Sequence, residues 1–138
     1  MSFAAIDSAL TERFLASGVL PQSSVATENE AFTPPAKAKP WARLTNLPAQ
    51  PSAATLGDGG TDLHLGIFQI DLYFPQGEGK GRSLKMAGRI AEHFKAGAGF
   101  TYERQHVRST SCGRSEGRVD SGWFRITLSV NWKAHVER

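Results

Sequence analysis

The nearest approach to a catalytic pattern in this 138-residue chain is Gly113-Arg114-Ser115-Glu116-Gly117, which matches the Gly-x-Ser-x-Gly nucleophile elbow. An elbow needs a buried strand before the serine, a helix behind it and a histidine within reach. Here the polar residues Ser109 to Gly113 precede the serine, and the chain then runs into a strand pattern with no room for a helix. Ser115 reads as a serine in a glycine-rich turn. Cys112 stands between Arg108 and Arg114, which could lower a thiol pKa, but no histidine lies at a catalytic spacing. His64, His93, His106 and His135 are scattered singly, without the i,i+3 or i,i+4 pairs that build a metal site on a helix. Gly77-Glu78-Gly79-Lys80-Gly81 lies between a strand and a helix, where phosphate loops occur. Its spacing fits neither Gly-x-Gly-x-x-Gly nor the Walker pattern, since Gly81 follows Lys80 where Ser or Thr is required. Glu116 and Asp120 share a loop, as acids commonly do. No catalytic, cofactor-binding or metal-ligating residue is assigned, and enzymatic activity is not expected.

Charge offers more. The chain carries a net +3, and a local excess of the same size falls between Glu78 and Lys95, where five basic residues face two acids. Lys80, Arg82, Lys85 and Arg89 form a candidate basic face. Such a strip is either the solvated side of a helix or a surface for nucleic acid or an acidic protein.

The elements that position these residues follow from periodicity. Phe3, Ile6, Leu10 and Phe14 recur at helical spacing and Gly18 follows, which predicts a helix over 3–17. From Pro21 to Gly60 the composition turns to Pro, Ala, Ser and Thr. One strand is expected near 41–47 and a mobile loop over 49–60. Residues 62–74 give the strongest strand signal, but Leu63, Leu65 and Ile67 are odd while Phe68, Ile70, Leu72 and Phe74 are even. One extra residue near Gly66–Phe68, a β-bulge, would put both sets on one face. The alternative is a central strand apolar on both faces. Ser83 is a plausible N-cap for a helix over 83–95, with Leu84, Ala87, Ile90, Ala91 and Phe94 on its apolar stripe. Strands are expected near 100–108 and 123–132, joined by a polar, mobile connection over 109–122. Phe124, Ile126, Leu128, Val130 and Trp132 alternate cleanly with polar residues. The expected class is α+β, with two helices packed on one face of a mostly antiparallel or mixed β-sheet. Phe14, Leu72, Leu84, Ile90, Phe94, Ile126, Leu128 and Val130 are the expected core.

Length fits a single domain over 1–138, and a 40% hydrophobic content supports a real core. One cysteine rules out an intramolecular disulfide. No apolar run is long enough to span a bilayer, and the N-terminus lacks the basic start of a signal peptide, so a soluble, intracellular protein is expected.

The run from Gly66 to Pro75 with Gly77 and Gly79, the stretch Ala87 to Phe94, and the ending Asp120 to Trp132 resemble the small tail proteins of long-tailed phages and prophages. The likeness is to minor tail proteins of the tail-terminator type, and it carries no catalytic signature. The Ala/Pro/Ser insert at 49–60 departs from the pattern. The resemblance implies a ring, a hexamer on the tail, that caps the growing tube, stops its polymerisation and joins tail to head. Implied partners are other copies of the chain, the tail tube protein and the head–tail connector protein, with nucleic acid not required and no membrane. The implied location is the bacterial cytoplasm during assembly and then the virion tail; no cofactor is implied. A ring-former needs projecting loops that meet neighbours by heterologous contacts, so Arg108, Arg114 and Arg118 are the candidate subunit interface. The runner-up function is a small nucleic-acid-binding module using the basic face of the 83–95 helix.

Overall fold

A computed structural model describes residues 2–36 and 39–138; residues 37 and 38 of the Pro-rich segment lie outside the described residues. In chain order the elements are α1 (Ser2–Ala16), a short 3-10 turn (Gln22–Ser24), β1 (Val25–Ala26), β2 (Trp41–Pro48), β3 (Ser52–Ala53), β4 (Thr61–Pro75), α2 (Gly81–His93), β5 (Gly99–Tyr102), β6 (Gln105–Arg114), β7 (Arg118–Asp120) and β8 (Trp123–Glu137). The strands form one mixed sheet in the order β1-β2-β4-β8-β6-β5, with β3 beside β4 and β7 beside β8. β1 runs parallel to β2, and the other pairings are antiparallel. Strand outweighs helix, within the broad α+β class that the periodicities predict.

The core sits between the helices and one face of this sheet. Ile6, Leu10 and Phe14 of α1 and Ala87 and Ile90 of α2, with Phe94 just beyond, join Phe68, Ile70, Leu72 and Phe74 of β4 and Leu128, Val130 and Trp132 of β8 in one cluster. Side chains alternate across a strand, so the even residues of β4 and β8 share the helix-side face. Of the expected core, Leu84 alone is only half-buried.

Four expectations are corrected. β4 has no bulge near Gly66–Phe68: its ladders to β2 and β8 run without a register break, and it is a central strand. Gly66 is required for another reason. A Cβ there would lie 2.5 Å from Cζ2 of Trp132, whose indole occupies that space and donates from Nε1 to Asn46 Oδ1 at 3.1 Å. The bulge falls instead in β6, between Ser109 and Ser111. The single strand expected over 100–108 is a hairpin, because Glu103 and Arg104 both take positive φ (46° and 72°) and turn the chain. Much of the connection expected over 109–122 is strand: β6 continues to Arg114, and β7 then pairs with β8. Finally, Ser83 is no N-cap. The helix starts two residues earlier, and the buried Ser83 hydroxyl donates to the Lys80 carbonyl at 2.8 Å.

Within 49–60, β3 pairs with β4, and Arg138 donates to the carbonyls of Thr55 and Gly57 while pairing with Asp62.

Gly66→Ala should cost about 1–3 kcal/mol by overpacking against Trp132, and Leu128→Ala about 2–5 kcal/mol. Gly88, exposed on α2 with open space at its Cβ, is the contrast. Gly88→Ala should stabilise by about 0.5–1 kcal/mol. Urea unfolding of the three variants checks the contrast.

Candidate functional site

The motif residues are occupied structurally. Ser115 extends the β-ladder: its N–H donates to Thr127 O at 2.8 Å, its hydroxyl donates to Glu116 O at 2.9 Å, and Thr127 N–H donates to that hydroxyl at 3.1 Å. Gly117, the last residue of the apparent elbow, is glycine because a Cβ would meet the Phe124 ring at 2.1 Å. Burial pushes the Cys112 thiol pKa up, the opposite of what nearby arginines would do for a nucleophile. Gly77 and Gly79 take positive φ in the turn before α2. His64 is buried edge-on to Phe3, and His106 shares a hydrogen bond with Thr101 Oγ1 at 3.1 Å. Among the described residues no group of His, Cys, Asp and Glu is arranged to hold a metal ion, and no helix is long and apolar enough to cross a membrane.

What the fold does build is two contrasting sides. The odd residues of β2, β4 and β8 face away from the helices. At one end this second face is covered: Trp41 stacks on Tyr73 with ring centroids 4.0 Å apart, and Phe32 and Trp123 pack against the pair. Beside them buried Asp71 accepts from Thr127 Oγ1 at 2.6 Å and Gln69 Nε2 at 3.0 Å. At the other end the cover stops. Leu47, Leu65 and Ile67 are 47%, 44% and 38% exposed, and Leu47 and Ile67 are direct cross-strand partners. The odd apolar residues that complicate the phase of β4 are therefore an open strip, flanked on β8 by Asn131 and Lys133.

The three expected interface arginines are all exposed, but they do not share a face. Arg108 pairs with Lys133 and Arg118 with Arg125, which puts both on the open face; Arg114 pairs with Leu128 and lies on the helix side, beside Gly88 and Ala91 of α2. Arg82, Lys85 and Arg89 are exposed along α2, opposite its buried Ser83, Ala87 and Ile90. Lys80 precedes the helix as its N-cap residue.

Sequence reasoning missed an acidic groove of about 420 Å³ between α1 and β2, whose ionisable lining residues are Asp7, Glu12, Glu28 and Glu30. The available signal was composition: residues 1–30 hold these four acids and a single base, Arg13. Arg13 turns elsewhere, donating to His93 O at 2.8 Å with its guanidinium over Phe100. Asn46 ties the groove together, its N–H donating to Glu28 Oε1 at 2.6 Å. Partial burial, then the Glu28 charge, raise the Asp7 pKa, opposed by a hydrogen bond from Asn46.

The geometry shows two sides suited to contact, and the comparison with known proteins decides the family. The sequence profile of phage tail terminator proteins matches residues 5–132. The chain belongs to the phage tail terminator family. Membership puts it among the structural proteins of phage tails, as the resemblance in β4, α2 and β8 implies. Two solved structures share the fold of this tail terminator. One protein is 22% identical, with a TM-score of 0.73 and 97% of this chain aligned to 96% of the other. A chain of the virion of a native gene transfer agent particle is 16% identical, with a TM-score of 0.57 and 99% aligned to 98%. No curated protein matches the chain.

Asp7 gives a signed test of the groove. Its pKa is higher folded than unfolded, so the folded state disfavours the carboxylate. That penalty is absent below the unfolded pKa and fully present above the folded one. Asp7→Asn should raise Tm at neutral pH, with the gain fading to nothing below about pH 3. Thermal melts of both proteins across that range check the sign.

Proposed function

We propose that this tail terminator assembles as a ring at the end of the tail tube, where it stops polymerisation and presents a surface that joins tail to head. A hexamer on the tail is the proposed ring. Its partners are other copies of itself, the tail tube protein and the head–tail connector protein, and its action is structural rather than catalytic. Assembly takes place in the bacterial cytoplasm and the finished protein resides in the virion tail. Arg108, Arg114 and Arg118 are the proposed contacts with acidic surfaces of neighbouring subunits.

The observation that carries the proposal is the open strip of Leu47, Leu65 and Ile67. Single exposed leucines are ordinary, but adjacent ones on a sheet face with a polar margin mark a contact surface. The helices cover one side of the sheet and the Trp41–Tyr73 cluster covers one end of the other, whereas this strip has no such cover. Contacts that form only on the tube would leave such a strip bare in the isolated chain.

Electron microscopy of tail tubes grown with the protein should show added density at tube ends and a narrowed length distribution. Leu65→Glu combined with Ile67→Glu should leave the fold intact, since both positions already meet water, and should abolish capping. Uncapped tubes with the wild-type chain would refute the proposal, and normal capping by the double variant would remove the strip from it.

A further inference from the structure

The helix side of the molecule carries two charged surfaces of opposite sign. The first is the acidic groove between α1 and β2, lined by Asp7, Glu12, Glu28 and Glu30 with no base among its lining residues. The second is the outer stripe of α2, where Arg82, Lys85 and Arg89 are exposed; Arg114 of β6 lies beside Gly88 and Ala91 of the same helix. Among the described residues the ion pairs are Asp120–Arg125 and Asp62–Arg138, so neither surface is neutralised within the chain. The groove lies at the β1–β2 side of the sheet, whereas α2 packs towards β6 and Leu128 of β8. Complementary patches towards opposite sides of one molecule make a head-to-tail contact, in which each copy offers one patch to the copy before it and the other to the copy after.

We propose that the basic stripe of α2, completed by Arg114, docks into the acidic groove of a second copy of this chain, and that this is the lateral contact of the ring. The proposal rests on the ring assembly above and deepens it. Residues 82, 85 and 89 sit on one helix face over about two turns, a length of roughly 10 Å. Four carboxylates meet four cations, Arg82, Lys85, Arg89 and Arg114. Asp7 lies beside Glu28, whose like charge helps to raise its pKa, and an incoming cation offsets that repulsion. Charge pairing at every joint also sets one register and discourages head-to-head pairing, where stripe would meet stripe.

Charge reversal tests the contact without touching the core. One variant carries Glu28→Lys with Glu30→Lys, and the other carries Lys85→Glu with Arg89→Glu; all four positions are exposed. Light scattering and electron microscopy at high protein concentration and low salt provide the readout, with circular dichroism as the check on folding. Each variant alone should associate at least about tenfold more weakly than wild type, because like charges face each other at every joint. An equimolar mixture should recover rings, since the reversed groove of one variant matches the reversed stripe of the other. A single chain carrying all four changes should recover them as well. Rings from wild type and from each single-surface variant alike would overturn the docking while leaving the ring intact. A wild-type chain that stays monomeric, both alone and on tail tubes, would overturn the ring and this contact with it. Wild-type DNA binding that is lost with Lys85→Glu and Arg89→Glu, while assembly is unchanged, would assign the stripe to nucleic acid instead.

Discussion

Trp132 lying over Gly66 is the contact on which the other parts of the molecule depend. It joins the three strands at the middle of the sheet: the indole belongs to β8, the glycine slot to β4, and the hydrogen-bond acceptor Asn46 to β2. A buried indole N–H without a partner would cost as much as a lost hydrogen bond. Packing and polar satisfaction therefore select the same register. Asn46 extends the constraint outward, because it also bonds Glu28 and the Asp7 side chain. The position of the acidic groove is thus set by the same residues that align the central strands.

The parts legible in sequence are those whose signal is local and repeated. α1, α2 and β8 each show one clean period, and most of their apolar residues are buried as the pattern predicts, with Phe3 exposed and Leu84, Ala91 and Phe124 half-buried. β4 shows two phases, and a bulge was one of two ways to reconcile them. The sheet adopts the other, a central strand, and leaves part of the second phase open to water; period alone cannot tell an apolar residue that faces solvent from one that needs repositioning. The hairpin at Glu103-Arg104 escaped because neither residue is the Asn or Gly that normally advertises a left-handed turn. The polar strand Ser109–Arg114 escaped because its stability comes from pairing with β8 rather than from its own side chains.

The candidate surfaces divide in the same way. The basic stripe is contiguous on one helix and visible at once. The acidic groove draws on α1 and on residues after β1, elements separated by the turn at Gly18, so only the fold brings its carboxylates together. The arginines expected to act together are separated by the alternation of the strands, and the β6 bulge shifts the parity between Arg108 and Arg114. Spacing in a strand shows which residues share a face only where the ladder is regular.

Folding and assembly consequently draw on different residues. The helix-side cluster and the Trp41–Tyr73 stack hold the chain together, while the exposed strip of Leu47, Leu65 and Ile67, the basic stripe and the carboxylates of the groove belong to neither. Three side chains exposed by less than half are also too small a surface for a lasting dimer, which needs on the order of 1,000 Å². A contact of that size becomes effective only when several are made at once, as on the end of a tube where each joint raises the local concentration for the next. An isolated subunit gains little from any single joint, whereas a closing ring gains from all of them together. Weak, separate patches on a stable fold therefore favour assembly at a template over assembly in free solution.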